Sequence, residues 1–528
     1  MNLSELKKTL LKLRKRAETA DRSTLVETFV DIGPVFTLLS NPEHQIFYGR
    51  RGTGKTHALI YLAESQSSKG EIPVYLDLKN LGSSGGIYSN SEIPLTERST
   101  RCLVDVLAGI HEVILQFAVE HSEEINLGVI GPLLDEFSAA ITEVEVIGET
   151  TTEDVEQASN QWTTGSTIRG GMSLSDLNIG AETTESIEGS TGSERRVQRT
   201  GRARHRVHFG RVSGVLKRII EFVSPKTVWL LLDEWSTVPI DIQPFLADLL
   251  RRSLFPLRGL VVKIAAIEQR TEFQLPGERG DYVGIELGAD AAADVNLDDY
   301  MVFDNDEQRA TEFFAQLIFK HVSALIPDET DSPPEDSQAF IQQVFTQITA
   351  FEEFVRASEG VPRDAMYLLA QAAQKDLASQ ISVDNVRTAA RIWYQRDKEN
   401  SVSANKAGRT LLHWIVDEVI GQRQARAFLL LSNTRHKLID TLYDARVLHL
   451  LKRNISSRDE PGVRYDAYKL DYGCYVDLLT TTRAPQGMLF ADDGDDWSVE
   501  VPRDDYRAIR RAILDLEAFE SRHPEHDA

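Results

Sequence analysis

The sequence predicts an α/β fold with a parallel-sheet core, an α-helical lid and a C-terminal winged helix, and three observations predict it. Residues 49–56 read Gly-Arg-Arg-Gly-Thr-Gly-Lys-Thr and lie between a short apolar strand pattern and a helix pattern. Residues 227–234 read Thr-Val-Trp-Leu-Leu-Leu-Asp-Glu, an apolar run typical of a central parallel strand. Helix patterns continue from residue 306 to about 425, before a helix–strand–helix–hairpin pattern. Further strands are predicted at 74–78, 260–267 and 283–287, the last as the fifth strand of the sheet.

Composition limits the classes of protein to consider. The chain has 528 residues, of which 41% are hydrophobic, and a length of this order suggests about three or four domains. Cys102 and Cys474 form neither a zinc pattern nor a disulfide framework, so we expect a reducing, cytoplasmic location. We expect no apolar run of membrane-spanning length, no secretory signal and no membrane partner. The net charge of −23 argues against indiscriminate binding to nucleic acid.

The segment 49–56 has the form GxxxxGK[ST] of a phosphate-binding loop. Its glycines let backbone N–H groups converge on phosphate oxygens, and the N-terminus of the next helix adds partial positive charge. Lys55 is predicted to reach the β- and γ-phosphates, and Thr56 to place its hydroxyl on Mg²⁺. We therefore expect ATP and Mg²⁺ as ligands. The residues predicted to hold the nucleotide are Gly49, Arg50, Arg51, Gly52, Thr53, Gly54, Lys55 and Thr56.

Two carboxylates end the strand pattern at 227–234. Asp233 is predicted to hold Mg²⁺ through water, and Glu234 to orient or deprotonate the attacking water. Such a pair also occurs as a helix cap or in a salt bridge, but the phosphate-binding loop favours the catalytic interpretation. Glu268 and Gln269 lie at the tip of the next strand. Either is suited to act as a polar sensor of the γ-phosphate, and we favour Glu268, whose alternative role is that of a surface residue.

An insertion interrupts the core between about residues 83 and 210. Its part from 140 to 210 is rich in Thr, Ser, Gly and Glu and then turns basic. Because a structureless loop of this length is unusual inside a compact domain, we expect a protruding hairpin or a mobile arm. The acidic half either neutralises the basic half or leaves it to contact DNA or a partner. The candidate nucleic-acid contacts of this arm are Arg195, Arg196, Arg199, Arg202, Arg204 and Arg206.

The two ends of the ATP-binding region carry further helix signals. Residues 3–18 predict a basic amphipathic helix, which either packs with its charged face in solvent or contacts nucleic acid or a membrane surface. The C-terminal pattern predicts a winged helix whose candidate recognition helix carries Arg435 and Lys437 beside acidic residues. Winged helices bind either DNA or proteins, so both partners stay open. The winged-helix pattern comprises helices at 408–421 and 435–443 and strands at 426–431, 447–451 and 463–472.

The order of phosphate-binding loop, Asp-Glu strand, polar strand tip and helical lid resembles the AAA+ ATPases. Residues 360–369, Gly-Val-Pro-Arg-Asp-Ala-Met-Tyr-Leu-Leu, resemble the second sensor motif of the AAA+ lid. The resemblance implies that Arg363 touches the γ-phosphate. It also implies an arginine supplied by a neighbouring subunit of a ring, for which the candidates are Arg270, Arg279, Arg251 and Arg252.

With a winged helix after the lid, the chain resembles the origin-recognition (Orc/Cdc, initiator-type) AAA+ ATPases, including bacterial members from defence loci. The resemblance covers about 25–80 and 225–480 and departs at 83–210, where the insertion is longer than usual. It implies a slow or assembly-stimulated ATPase that couples nucleotide state to double-stranded DNA binding or self-association. The alternative is an oligomerising signalling or defence ATPase whose output is a protein effector.

These patterns together predict the domain organisation of the chain. Its expected parts are N-terminal helices at 1–40, an AAA+ core at 41–300 with the insertion at about 83–210, a helical lid at 301–400, a winged helix at 401–485 and an acidic linker, helix and tail at 486–528.

Overall fold

The structure is a computed structural model. It describes residues 2–17, 20–80, 88–142, 144–155, 183–187, 194–205, 208–277, 280–304, 306–327, 333–432, 434, 436–456, 461–479 and 512–523. In the strands at 144–155, 183–187 and 194–205 it describes the backbone.

The chain divides into two compact units. Unit 1 comprises Met1–Ser65, Lys263–Arg270 and Ala293–Ala528. Unit 2 comprises Gln66–Val262 and Thr271–Ala292. The predicted domain boundaries stay a prediction.

Helices and strands alternate through the first half of the chain, and helices dominate from residue 297 to residue 416. The helices, in chain order, are α1 (Leu3–Leu11), α2 (Arg22–Thr28), α3 (Val35–Leu39), α4 (Lys55–Ser68), α5 (Leu95–Glu120), α6 (Leu127–Ile141), α7 (Phe209–Val223), α8 (Gln243–Ser253), α9 (Leu297–Met301), α10 (Glu307–Ser323), α11 (Ser337–Val344), α12 (Ile348–Ser358), α13 (Pro362–Gln374), α14 (Val383–Trp393), α15 (Glu399–Ser403), α16 (Lys406–Val416), α17 (Lys437–Asp444) and α18 (Leu516–Arg522). The strands, in chain order, are β1 (Gln45–Tyr48), β2 (Ile72–Asp77), β3 (Val144–Val155), β4 (Thr183–Ile187), β5 (Glu194–His205), β6 (Val228–Asp233), β7 (Leu260–Ala266), β8 (Gln274–Pro276), β9 (Tyr282–Gly284), β10 (Ala292–Asn296), β11 (Ala427–Leu431), β12 (Leu448–Ser456), β13 (Arg464–Leu470) and β14 (Ala512–Ile513).

A five-stranded sheet of order β10-β1-β7-β6-β2 carries the predicted core. In unit 1, β1 pairs in parallel with the Lys263–Ala266 part of β7. In unit 2, β2 pairs in parallel with β6 along its whole length. Every residue of β1, β6 and β7 is buried, as expected for central parallel strands covered on both faces. The predicted α/β fold with a parallel sheet behind the phosphate-binding loop is confirmed.

The predicted fifth strand at 283–287 is wrong. Tyr282–Gly284 pairs antiparallel with Gln274–Pro276 in a separate two-stranded sheet, and β10 is the edge strand beside β1. The backbone of Gly284 gives the reason, because its φ is +123° and a Cβ there would lie 1.9 Å from the carbonyl oxygen of Phe273. This close approach ties the segment to Phe273, and only glycine fits there.

In unit 2, the insertion forms two helices, α5 and α6, and a three-stranded antiparallel sheet of order β3-β5-β4. Helix α5 is long and apolar enough to span a membrane by length and composition, contrary to our expectation. The charged residues Asp105 and Glu112 interrupt its apolar run in the sequence, but the mean hydropathy of the helix remains high. Val106 and Ile110 of this helix are fully buried against the protein, as is also found in core helices.

In unit 1, helix α1 is packed against the helical lid. Leu6 and Leu10 are fully buried, and the Lys7 ammonium donates a hydrogen bond of 2.7 Å to the carbonyl oxygen of Asp376. Burial lowers the pKa of Lys7, against the opposing charge of Asp376. Of the two interpretations of residues 3–18, these contacts support the packed helix.

The C-terminal elements of unit 1 follow the predicted order of helix, strand, helix and hairpin. Strands β11, β12 and β13 form an antiparallel sheet in the order β12-β13-β11, and β14 adds a short parallel strand beside β11. The apolar face of this sheet packs on Val302, which follows α9. The sheet therefore lies directly beside the segment that contacts the phosphate-binding loop.

Candidate functional site

The phosphate-binding loop connects β1 to α4, which is the context that its motif requires. Gly52 and Gly54 have φ values of +88° and +96°, which favour glycine. The Lys55 ammonium donates hydrogen bonds to the carbonyl oxygens of Gly49, at 2.8 Å, and Arg50, at 3.0 Å. A Cβ at Gly49 would lie 2.5 Å from the Thr53 hydroxyl oxygen. The loop is thus a tight glycine cradle with an ammonium group above it, which fits a phosphate chain.

The loop contacts the lid at the residue predicted to act as its second sensor. The backbone N–H of Arg363, in the first turn of α13, donates a hydrogen bond of 3.2 Å to the carbonyl oxygen of Gly52. A Cβ at Gly52 would lie 2.7 Å from the Cβ of Arg363. The structure therefore brings Arg363 and the loop together, in agreement with the order of the two motifs.

Arg50 is the buried centre of the loop's contacts. Its side chain is 1% exposed, although the sequence predicts it among the nucleotide-holding residues. Asp298 at the start of α9 accepts from the Arg50 backbone N–H at 2.9 Å and from its Nε at 3.0 Å. The guanidinium also donates to the carbonyl oxygen of Glu359, at 3.1 Å, and contacts Nδ1 of His449 in β12. One loop side chain thus joins the lid and the C-terminal sheet, while Arg51 beside it is exposed.

The contact with His449 continues into a buried ionic network. Because a guanidinium only donates, Nδ1 of His449 accepts, and its Nε2–H donates to Asp471 at 2.9 Å. Burial and the positive charge of Arg50 lower the pKa of His449 to about 3, so the imidazole stays neutral. Lys398 bridges Asp471 to Asp364, the neighbour of Arg363 in the chain. The network therefore runs from the loop to β12 and back to the start of the lid helix α13.

A second branch of the network lies around Glu359. Its carboxylate accepts from Lys469 at 2.9 Å, and Lys469 also pairs with Asp304 at 2.6 Å. Burial raises the pKa of Glu359 to about 7, against the opposing effect of Lys469. Ligand atoms of Glu359, His449 and Asp471 lie within 4.8 Å of one another, a spacing that suits a metal ion. Cationic side chains already bind these three residues, so the cluster is an ionic network of the protein itself.

The tip of β7 is joined to the C-terminal elements by two ion pairs. Glu268 pairs with Arg453 of β12 and accepts a hydrogen bond of 3.4 Å from Asn296. Arg270 pairs with Asp444 at the end of α17. Neither Glu268 nor Arg270 stands alone at the strand tip, and both bind the part of the chain that follows the lid.

A cleft borders the loop in unit 1. Its walls come from the segment 29–35, the loop, the start of α4, α9, α10 and Pro362 of α13. Phe29 lines the cleft and stacks on Tyr61, with ring centroids 4.0 Å apart. The lining is mostly apolar and ends at Thr53 and Gly54, so it suits a flat apolar group attached to a phosphate chain.

In unit 2, β6 ends at the predicted carboxylate pair. Asp233 is 1% exposed and accepts hydrogen bonds of 2.8 Å from the hydroxyl of Tyr75 and the backbone N–H of Glu234. Glu234 has φ +55° and ψ +34°, a left-handed conformation that is strained for a residue with a side chain. Such strain is common at functional sites. The carboxylate of Asp233 is an oxygen donor of the type that Mg²⁺ prefers, so its chemistry fits the predicted role.

Comparison with known proteins identifies the resemblance. Residues 14–75 match the model of the ORC-CDC6-like family. The match covers the segment 29–35, the phosphate-binding loop, α4 and most of β2. The resemblance to origin-recognition AAA+ ATPases that the sequence motifs indicate is therefore confirmed, and this part of the chain is similar to a family of AAA+ ATPases.

Further comparisons are more distant. The solved structure of the Aeropyrum pernix Orc1 protein in complex with DNA is 14% identical and covers 85% of this chain and 93% of its own, with a TM-score of 0.29. No curated protein matches the chain.

Three of the four arginines that the AAA+ resemblance suggests for action on a neighbouring subunit are described, and each has a partner within the chain. Arg251 pairs with Asp248 at 2.8 Å and donates to the hydroxyl of Tyr282 at 3.1 Å. Arg252 pairs with the same carboxylate at 2.7 Å and is 57% exposed. Arg270 is 41% exposed in its pair with Asp444. Arg279 lies outside the described residues.

The arginine-rich segment of the insertion is the central strand β5, between β3 and β4. Its pairing register sets Arg195 opposite Asp154, Arg196 opposite Glu153 and Arg204 opposite Glu145. Arg199 lies opposite Thr150 and Thr183, and Arg202 opposite Ile147. The acidic half of the insertion thus faces three of the arginines, and Arg199 and Arg202 have no acidic residue at their paired positions in the described strands. Arg206 lies outside the described residues.

The candidate recognition helix is shorter and more buried than its pattern suggests. Helix α17 has eight residues and buries Ile439, Leu442 and Tyr443. Tyr443 donates a hydrogen bond of 3.3 Å to Asp298, so the end of the helix faces the loop. Lys437 at the start of α17 is exposed, whereas Arg435 lies outside the described residues.

Sequence reasoning missed the protein partners of the loop. Asp298 and His449 bind Arg50 from 248 and 399 residues away in the chain. The Asp298-Asp299 pair just after a strand was a visible signal, since a buried arginine in the loop requires a carboxylate partner. No pattern around His449 marks it, because its neighbours form an ordinary apolar strand.

Proposed function

We propose that this chain is an ATP-binding and ATP-hydrolysing switch whose nucleotide state is transmitted from the phosphate-binding loop to the lid and the C-terminal sheet. The observation that carries the proposal is the position of Arg50. Its guanidinium contacts the lid at Glu359 and the C-terminal sheet at His449, while its backbone forms part of the loop. A change in loop conformation on nucleotide binding therefore acts directly on both elements.

The predicted catalytic roles follow from the motifs. Lys55 and Arg363 neutralise the phosphate chain, Asp233 and Thr56 hold Mg²⁺, and Glu234 prepares the attacking water. When bound, Mg²⁺ neutralises charge on the β- and γ-phosphates. The contacts of Arg363 with the loop and the left-handed backbone of Glu234 support these assignments.

The cleft beside the loop is the position that we propose for the base of the nucleotide. Its apolar walls suit a planar base, and its edge at Thr53 and Gly54 belongs to the phosphate-binding loop. We expect the base to enter between the segment 29–35 and the start of α4, with its sugar toward α13. The segment 29–35 and the start of α4 both lie within the residues that match the family model.

Nucleotide binding is tested with a fluorescent ATP analogue and the Lys55→Ala variant. We expect Mg²⁺-dependent binding by the wild type and at least a tenfold loss in the variant, because the ammonium is the main charge over the loop. The control is Lys217→Ala, which removes an exposed lysine of α7. Equal affinity of the two variants would contradict the proposal.

Transmission to the C-terminal sheet is tested by hydrogen exchange of the full chain with and without ATP and Mg²⁺. We expect changed protection in β12 and α17, whose side chains contact Arg50, Glu268 and Arg270. Unchanged hydrogen exchange in both elements at saturating nucleotide would reject the proposed transmission to the C-terminal sheet. The chain would then be an ATPase without this switch.

Double-stranded DNA is the partner that we propose for the output. Arg199 and Arg202 of β5 are the best candidates, since their register positions face no acidic residue of β3 or β4. Replacing both by alanine is expected to weaken duplex binding and to lower its dependence on log salt by about 2. The matched control replaces Arg195 and Arg196, which face Asp154 and Glu153.

A protein effector or self-association is the second candidate for the output. The net charge of −23 and the acidic residues opposite three β5 arginines favour it over broad DNA contact. Mass photometry with and without ATP separates the two, because a defence or signalling ATPase of this kind assembles on nucleotide binding without duplex. We predict a cytoplasmic location for either output.

A further inference from the structure

Tyr75 lies beside the carboxylate predicted to bind magnesium. In the parallel pairing of β2 with β6, Asp77 lies opposite Asp233 and Tyr75 opposite Leu231. Because alternate residues of a strand share a face, Tyr75 and Asp233 lie on the same face of this strand pair. From there the Tyr75 hydroxyl donates a hydrogen bond of 2.8 Å to Oδ2 of Asp233.

Asp233 is held at both of its carboxylate oxygens. Oδ2 accepts from Tyr75, and Oδ1 accepts from the backbone N–H of Glu234 at 2.8 Å. An ionised carboxylate offers about two acceptor positions on each oxygen. Each oxygen of Asp233 therefore keeps one position for the metal or for a water on the metal. With the side chain 1% exposed, its orientation is set by these two donors rather than by solvent.

The neighbouring carboxylate does not compete for the tyrosine in this arrangement. Asp77 accepts at Oδ1 from the backbone N–H of Lys79, at 3.0 Å, and at Oδ2 from the side chain of Asn80. Each oxygen of Asp77 therefore accepts a hydrogen bond from the turn that follows β2. The Tyr75 hydroxyl, in contrast, is hydrogen-bonded to the last residue of β6.

We propose that Tyr75 is a positioning residue for the magnesium-binding carboxylate. Its hydroxyl fixes the rotation of the Asp233 carboxylate, so that the carboxylate faces the ion without reorganising when ATP and Mg²⁺ bind. The inference rests on the proposed function, because it requires that Asp233 serve the metal. Partners that hold a metal ligand in this way typically change metal affinity or activity by about 10- to 100-fold when removed.

The test uses the full chain with a non-hydrolysable ATP analogue and Mn²⁺ as a paramagnetic substitute for Mg²⁺. Electron paramagnetic resonance gives the Mn²⁺ affinity of the nucleotide complex, and nucleotide affinity is measured separately in EDTA. For Tyr75→Phe we expect about tenfold weaker Mn²⁺ binding and nucleotide affinity in EDTA within twofold of the wild type. The matched control is Tyr88→Phe, which removes a tyrosine–aspartate hydrogen bond at Asp105 in the same unit.

A second variant provides the graded comparison. Replacing Tyr75 by 4-aminophenylalanine keeps the ring and a weaker N–H donor, so its Mn²⁺ affinity is expected between those of the wild type and Tyr75→Phe. If Tyr75→Phe fails to fold, the 4-aminophenylalanine variant alone tests the proposal. A Mn²⁺ affinity equal to that of the wild type then overturns it.

The outcomes distinguish this inference from the proposed function. If the wild type binds no Mn²⁺ with nucleotide, the proposed function fails and the role of Tyr75 fails with it. If the wild type binds Mn²⁺ and Tyr75→Phe binds it equally well, only the role of Tyr75 is overturned. A loss of nucleotide affinity in EDTA as large as the loss of Mn²⁺ affinity would also overturn it, since Tyr75 would then support the fold instead of the metal ligand.

Discussion

Asp298 holds Arg50 at two points, accepting from its backbone N–H at 2.9 Å and from its side-chain Nε at 3.0 Å. The first bond fixes the backbone of the phosphate-binding loop, and the second fixes the direction of the guanidinium. Both side chains are almost fully buried, at 1% and 4% exposure. The shape of the loop and its contact with the C-terminal sheet therefore depend on the same carboxylate.

Removing the Arg50 side chain is expected to destabilise the folded protein. Arg50→Met should lower the free energy of unfolding by about 3–5 kcal/mol, because it leaves a buried carboxylate without its cation. Urea unfolding of the full chain measures the change. The control is Arg22→Met, whose pair with Glu64 is exposed at 58% and 46% and should contribute at most about 1 kcal/mol. An equal loss in the free energy of unfolding for the two variants would contradict a special contribution of Arg50 to the stability of unit 1.

The contact between the loop and the lid predicts that Gly52→Ala is more destabilising than Gly70→Ala. Gly52 and Gly70 have similar φ values of +88° and +81°, but a Cβ at Gly52 would lie 2.7 Å from the Cβ of Arg363, whereas Gly70 has open space. Gly70→Ala should therefore cost about 1–2 kcal/mol of backbone strain alone. Gly52→Ala should cost more and also displace α13, so nucleotide affinity should fall at least tenfold in this variant only. Thermal unfolding and titration with a fluorescent ATP analogue measure both effects.

The local motifs were predictable from the sequence because each is read within one stretch of chain. The loop at 49–56 and the strand ending at Asp233 carry their own flanking elements, and both lie where their motifs require. The fifth strand at 283–287 was mispredicted because its alternation of apolar residues is equally compatible with a strand of a short antiparallel hairpin and with a strand of the central sheet. The close approach of Gly284 to Phe273 ties this segment to the antiparallel hairpin, and such a packing contact cannot be recognised in the sequence.

The buried ionic network could not be predicted from the sequence, for a different reason. Asp298 and His449 meet Arg50 from positions 248 and 399 residues away. The Asp298-Asp299 pair shows that carboxylates follow a strand, but the sequence does not show that Arg50 is their partner. Buried charges also contradict the usual rule that charged residues lie on the surface, so Lys398 and Lys469 look like solvent-exposed residues in the sequence. Their burial follows from pairing with carboxylates brought by the fold.

Acidification is expected to destabilise the protein through His321. Burial lowers the pKa of His321 to about 4 from 6.5, so the folded chain resists the proton that the unfolded chain accepts. Stability from this group is therefore present above pH 6.5 and is lost as the pH falls toward 4. Between pH 7.5 and pH 5 the loss should be at most about 2 kcal/mol. His321→Gln should show a smaller loss in urea unfolding, whereas His413→Gln, at an exposed position, should behave like the wild type.

The ion pair between Glu268 and Arg453 offers a direct measure of communication between the tip of β7 and the C-terminal sheet. A double-mutant cycle with Glu268→Gln and Arg453→Met isolates the energy of the pair, which should be about 0.5–2 kcal/mol because both side chains are partly exposed. If the γ-phosphate is sensed at Glu268, the coupling should differ between the nucleotide-free and ATP-bound chain, since a carboxylate that reorients toward the nucleotide releases Arg453.

The matched cycle uses Arg270→Met and Asp444→Asn, which form the other ion pair at this tip. A coupling that changes with ATP in the Glu268 cycle and stays constant in the Arg270 cycle would assign the sensing role to Glu268. The reverse result would move that role to Arg270. Equal couplings in both nucleotide states for both cycles would mean that neither ion pair responds to ATP. The contact between Arg50 and His449 would then be the next link to β12 to test.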